Sequence, residues 1–327
     1  GVLGRISAVV RETFTPGVLH EPGSFGGLFS GRFQDHVDPI LVATNDGVGT
    51  KVRLAIRAGR ARGLGHDIVN HCVDDILVQG AEPLFFMDYV ASSVLEPDVF
   101  EELVAGLVEA CRACGAALLG GETAEMPGVY ADGELDLVGF IVGIVDRAKV
   151  WPRDVAAGDV LVGIRSDGLH TNGFSLVNRL IERDALDLSS DPGSLGESLA
   201  DALLRPHRSY LRPIQALRDV VDVHALAHIT GGGIQDNLPR VLPAGVGAEV
   251  DRSTWEPNPV FQWLREVAEM PAAEAYHVFN MGCGMIAAVA EEDAENTVAA
   301  LRDAGEGAWV MGRLVEGEGV TFTDDLA

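Results

Sequence analysis

Residues 39–58 read PILVATNDGVGTKVRLAIRA, and the order of that stretch decides the fold. Pro39 to Asn45 is a β-branched strand, residues 52–58 have the apolar spacing of a short helix, and Asp46-Gly-Val-Gly-Thr-Lys51 is the turn between them. Glycines in such a turn let backbone N–H groups approach an anion at a helix start, and a lysine adds a point charge. The Walker A spacing GxxxxGK[ST] is absent. A tight turn with a solvated lysine is the plain alternative. Asp46 on one flank and Lys51 on the other favour a nucleotide site over Asp46, Gly47, Gly49, Thr50 and Lys51.

Outward from this turn, strands and helices continue to mix. Asp67 to Gln79 is a helix with Ile68, Cys72, Ile76 and Val69, Val73, Leu77 inward, Leu84 to Ala91 is a strand, and Pro97 to Gly115 is an amphipathic helix. Strands follow at 116–119 and 135–145. The pattern breaks around Trp151-Pro-Arg153, which sets domains of 1–152 and 153–327. The second domain has strands at 159–165, near 221–228, around 278–279 and at 285–289. Its helices lie at 174–183 and from Leu199 onward, with a polar insertion at 187–198. The mixture without strict βαβ regularity indicates an α+β fold.

Acids gather beside the glycine turns. Asp67, His71 and Asp75 share a helical stripe at i, i+4, i+8, with Asp74 beside it. The stripe is either a solvated flank or a source of Mg²⁺ ligands. Were Asp46 and Asp75 about 4 Å apart, they would repel by roughly 4 kcal/mol at an effective dielectric near 20, which a divalent cation relieves. LGGETAEMPG (119–128) adds Glu122, Thr123 and Glu125 in a loop expected at a strand end.

Composition narrows the partners. With 49 acidic and 24 basic residues the formal charge is -25, which disfavours nucleic acid and anionic membrane surfaces. Only Lys51 and Lys149 are lysines, so Lys51 stands out. Cys111 and Cys114 continue an apolar helical stripe and read, with Cys72 and Cys283, as core thiols. No secretory signal or membrane span is evident, and a cytoplasmic location is expected.

The ordered runs GGLF (26–29), DGVGTK (46–51), CVDDILVQGAEPLFFMDYVA (72–91), GGETAEMPG (120–128), SDGLHTNGFSLV (166–177), HITGGGIQDNLPRVLP (228–243) and FNMGCGM (279–285) resemble the phosphoribosylformylglycinamidine cyclo-ligase (AIR synthetase) family. The resemblance implies a two-domain PurM-like architecture. The N-terminal domain would bind ATP and pair its sheet across a homodimer into a β-barrel, and a C-terminal α/β layered domain would lie on the substrate side. It further implies ATP-dependent ring closure of formylglycinamidine ribonucleotide to aminoimidazole ribonucleotide in purine synthesis. Asp46 and Asp75 become Mg²⁺ ligands, Lys51 a catalytic phosphate contact, and Gly121, Glu122 and Thr123 part of the ATP cleft. A monovalent cation such as K⁺ stays open.

In the second domain, Thr171 or Asn172 is expected to cap the helix from Phe174, whose N–H groups, with Ser175, suit the substrate phosphate. Gly231 and Gly232 of TGGG offer further N–H groups. His170 is either a turn residue or a substrate contact active in proton transfer, and the resemblance favours the second. Two departures stand out: Asp74 occupies a position where the family usually has Asn, and the family carries a segment ahead of the region matched by Gly1. The alternatives are a thiamine-monophosphate kinase-like enzyme of the same superfamily and a non-catalytic nucleotide-sensing dimer. Selenophosphate synthesis is disfavoured because the loop at 23–27 has no cysteine.

Overall fold

Alternation in PILVATNDG turns one side of a strand inward and the other outward, and the computed structural model, which describes residues 2–324, carries that strand through Gly47. The unit Gly1–Val150 runs α1 (Val2–Arg11), β1 (Pro39–Gly47), α2 (Lys51–Arg57), α3 (Ala61–Leu77), β2 (Glu82–Ser92), α4 (Pro97–Cys114), β3 (Ala117–Glu125) and β4 (Leu135–Asp146). Its sheet has the order β1-β4-β2-β3. Strand β4 is antiparallel to β1 and β2, and β3 is parallel to β2 with α4 as the crossover.

Glycines let α3 sit close to its neighbours. On β4, a Cβ at Gly139 would stand 2.7 Å from Ile68 Cγ1 and one at Gly143 2.5 Å from Ile76 Cδ1. Against α4 the approach is backbone to backbone, since a Cβ at Gly65 would lie 2.6 Å from the Gly106 carbonyl carbon, and one at Gly106 would overlap the Arg62 carbonyl oxygen. The helix starts at Ala61 rather than the expected Asp67: Gly63 and Gly65 weaken the helical signal of that turn in the sequence, while packing of Gly65 on α4 holds it helical. Cys72 and Cys111 are buried free thiols, as expected, and Cys114 is half-buried. Burial pushes the Cys114 thiol up to about 11.

The unit Trp151–Ala327 runs β5 (Val160–Arg165), α5 (Phe174–Arg183), α6 (Leu199–Leu203), α7 (Leu211–Arg218), β6 (Val223–His228), α8 (Gly233–Asn237), β7 (Val246–Val250), α9 (Pro259–Ala268), α10 (Ala272–Val278), β8 (Cys283–Val289), α11 (Ala294–Asp303), β9 (Ala308–Glu316) and β10 (Val320–Phe322). Its six-stranded sheet has the order β10-β7-β9-β5-β8-β6. Strand β8 is buried along its whole length. Residues 278–279, expected as a strand, instead end α10, whose N–H of Phe279 closes the last turn on Ala275. Among the described residues no helix is long and apolar enough to cross a membrane.

The α3–α4 contact yields a stability prediction. Gly106→Ala gains roughly 1 kcal/mol of helix propensity, yet the overlap with the Arg62 carbonyl should leave a net loss of about 1–3 kcal/mol in urea unfolding. A variant as stable as the parent would show that the helices separate freely.

Candidate active site

The stripe on α3 lies inside the unit: Asp67 and Asp74 are fully buried, His71 is buried and Asp75 is half-buried. It is therefore not a solvated flank. Asp67 accepts from Lys51 Nζ at 2.7 Å, with both side chains 1% exposed. Burial lowers the Lys51 pKa, against the attraction of Asp67. Lys51, expected as a phosphate contact at the helix start, instead has its ammonium on Asp67, and so opens α2 and anchors it to α3. A buried pair of this kind is costly to break from one side, because the other charge stays behind.

Asp46 and Asp75 do converge, but on a residue between them. His71 Nε2 lies 2.9 Å from Asp46 Oδ2 and 3.7 Å from Asp75 Oδ2. Burial opposes protonation of this imidazole, but the hydrogen bond to Asp46 and the two carboxylate charges outweigh it and raise its pKa. His71 therefore joins Asp46 and Asp75 in one cluster, and its signal was its place midway between two acids on the stripe. Asp46 and Gly47 belong to β1 rather than to the turn. Gly49 has φ +67, a left-handed conformation that favours glycine, and open space where a Cβ would go; Thr50 precedes α2 without a side-chain cap.

The GGETAE run is also strand rather than loop, because β3 continues along β2 as far as Glu125. Strand register aligns Asp46, Gly139, Asp88 and Gly121 in one row across all four strands. A Cβ at Gly121 would stand 2.8 Å from the Asp88 carboxyl carbon, so glycine leaves room for that acid. Burial pushes the Asp88 carboxyl up to about 7. Sequence reading overlooked Asp88, whose signal was an acid inside a strand apolar on both faces.

Asp88, Gly120, Gly121 and Thr123 border a cavity of about 480 Å³, walled also by Phe100, Val104 and Leu118 and by the glycine loop 23–27. His20 holds that loop: its Nδ1 accepts from the Leu28 N–H at 3.0 Å, so Nε2 carries the proton and donates to the Leu119 carbonyl at 3.1 Å. Glu122 is exposed and accepts from the Thr123 N–H.

In the second unit, neither Thr171 nor Asn172 caps α5. The N-cap is Gly173 at φ +81, without a side-chain cap bond, and a Cβ there would overlap the Phe279 ring. His170 is 1% exposed at φ +58 and stacks on His207 at 4.1 Å between centroids. Asn172 Oδ1 lies 3.2 Å from where a Gly231 Cβ would stand, so the 170–175 and 230–233 turns meet. Gly232, at φ +91, precedes the short α8. Ser175 lies in the first turn of α5.

Residues 35–145 match the family model "AIR synthase related protein, N-terminal domain", and residues 156–325 match the corresponding C-terminal domain. Among solved structures, thiamine-monophosphate kinase from Stenotrophomonas maltophilia superposes with a TM-score of 0.74 at 22% identity, covering 100% of this chain and 96% of that one. The hydrogenase maturation protein HypE in complex with ATP superposes with a TM-score of 0.67 at 18% identity, covering 96% and 86%. These define the fold class, a two-domain, PurM-like mixed α/β architecture. A phosphoribosylformylglycinamidine cyclo-ligase of Nitrosococcus oceani is 45% identical over 98% of this chain and 90% of its own length. The chain belongs to the phosphoribosylformylglycinamidine cyclo-ligase family.

Asp88 makes a pH prediction. Its folded pKa of about 7 stands above the ordinary 3.8, so between those values the folded state holds a proton that the unfolded chain has released. Its contribution to stability is therefore present below about pH 4 and lost as pH rises through 7. Asp88→Asn should gain stability relative to the parent as pH is raised from 5 to 8, read as diverging urea midpoints. Parallel midpoints would place the carboxylate in an ordinary environment.

Proposed function

We infer that this chain is an ATP-dependent cyclo-ligase that converts formylglycinamidine ribonucleotide into aminoimidazole ribonucleotide, ADP and phosphate in purine synthesis. The observation that carries the reading is 45% identity sustained over 98% of the chain. The kinase likeness rests on 22% identity, which supports the fold alone. In the reaction the formyl amide oxygen attacks the γ-phosphorus of ATP and ADP departs. The internal nitrogen then attacks the activated carbon, phosphate leaves with the former amide oxygen, and the nitrogen loses its proton.

The unit 1–150 is the nucleotide side of this reading. Its cavity offers an apolar wall for a base beside the glycine backbone of β3 and the 23–27 loop. Asp46 and Asp75 are the residues that would hold Mg²⁺, which supplies charge neutralisation to the phosphates when bound. The donor type fits: Asp46 and Asp75, 42% and 28% exposed, bring carboxylate oxygens to either side of His71, and oxygen is the donor such a cation prefers. Gly47 at the end of β1, with Gly49 and Thr50 in the turn after it, presents backbone toward the phosphates, with Lys51 sealed behind against Asp67. In the second unit, Thr171, Asn172 and Ser175 with Gly231 and Gly232 receive the substrate phosphate, and His170 serves proton transfer or positioning.

The test is ADP release from Mg-ATP with formylglycinamidine ribonucleotide beside thiamine monophosphate. Turnover with the first substrate is expected; turnover only with the second would overturn the assignment. In the same assay His170→Ala should lower kcat by about two to four orders of magnitude if the imidazole moves a proton. A higher KM at constant kcat would mark it as positioning substrate, and unchanged constants as a turn residue. Asp75→Asn should weaken Mg-ATP binding in calorimetry with the fold intact.

The sheet face opposite α3 supports a homodimer. Leu41 is 58% and Phe140 40% exposed on that face, and Met87 lies beside Phe140 in register. Covering it with a second copy, the two sheets closing into a barrel, removes an apolar patch from water. Sedimentation at micromolar concentration should show a dimer, and a monomer would refute the pairing.

A further inference from the structure

Three histidines from separate parts of the second unit meet inside it. His170 lies on the turn after β5, His207 between α6 and α7, and His228 at the end of β6, and they are 1%, 1% and 6% exposed. One ring nitrogen of each lies within 4.8 Å of those of the other two. His207 Nε2 and His228 Nε2 are 3.1 Å apart, and His170 stacks on His207 with ring planes 27° apart. Gly284 on β8 makes room, since a Cβ there would stand 2.8 Å from His170 Cε1.

Such a set has specific chemistry. A hydrogen bond between two ring nitrogens at 3.1 Å needs one to donate its N–H and the other to accept through its lone pair. Nitrogens bound tetrahedrally at about 2.0–2.1 Å from zinc lie about 3.3 Å from each other, close to that separation. Neutral imidazole suits borderline-soft divalent ions, whereas Mg²⁺ selects oxygen, so this set is distinct in kind from Asp46 and Asp75.

We propose that His170, His207 and His228 form a binding site for a borderline-soft divalent cation of the zinc, cobalt and nickel class. The inference goes beyond the cyclo-ligase reading and rests on the three side chains alone; an ion bound there would turn the His170 ring out of its stack on His207 and hold it as a ligand instead of leaving it to proton transfer.

The test uses untagged full-length protein titrated with Co²⁺ near neutral pH. One equivalent per chain should bind with the visible absorption of a nitrogen-ligated ion, and Zn²⁺ should displace it. His207→Gln and His228→Gln should each weaken binding by at least about a hundredfold, the upper range for loss of a mere supporting group, with an unchanged circular dichroism spectrum. Absence of bands, or bands indifferent to both substitutions, would overturn the site. X-ray absorption at the zinc edge of the wild-type protein loaded with one equivalent decides the matter without any variant. Imidazole scattering from three ligands is expected, and an oxygen-only shell or fewer than three imidazoles refutes the proposal.

Discussion

Everything in the first unit depends on how closely α3 can lie against its neighbours. Gly139 and Gly143 lower the sheet beneath Ile68 and Ile76, and Gly65 with Gly106 brings two helix backbones into contact. A helix held by backbone contact has little freedom to slide or roll, since protein interiors have few voids to absorb such motion. The side chains that α3 carries inherit that fixity. Asp67 reaches Lys51 and His71 reaches Asp46 because one rigid element presents both, one turn apart.

The two units treat buried charge differently. In the first, ionisable groups stand in a chain from Lys51–Asp67 to His71 and its two acids, open at the carboxylate end, where Asp46 and Asp75 remain partly exposed. In the second, Arg252 and Asp324 are closed on each other at 2.9 Å with 6% and 7% exposure, and the guanidinium also lies 4.5 Å from the Phe322 ring centroid. The closed arrangement holds strand β10 to its neighbours. The open one keeps its two carboxylates within reach of solvent, a difference of exposure rather than of residue type.

Much of the fold was legible because period and turn residues agreed. Helix α5 was expected at the bounds it has, and β2 and β4 within two residues, since their apolar runs are long and end in polar or glycine residues. What escaped was set by tertiary contact. The start of α3 contains two glycines that lower its helical character, of which Gly65 serves the packing on α4, and β3 carries a glycine pair that reads as a turn until Asp88 on β2 is seen to occupy the space. Strands β7, β9 and β10 were not anticipated, because their short or polar-interrupted segments gain strand character only from pairing. Candidate acids could be named from the chain, but not their partners: burial of Lys51 and insertion of His71 between carboxylates follow from three-dimensional distance alone.

Strand β3 has one further consequence. It lies at an edge of its sheet, and its distal half, from Gly121 onward, is largely exposed. An uncovered edge is a template on which other chains can add strands and aggregate. Here that half carries Glu122 and Glu125, and Glu125 is turned to accept the Leu95 N–H at 2.8 Å, tying the edge to the turn between β2 and α4. Like charges brought into register by an added copy would repel. The exposed glycine backbone can therefore stay accessible to a small anion-bearing molecule while remaining a poor surface for growth of a sheet.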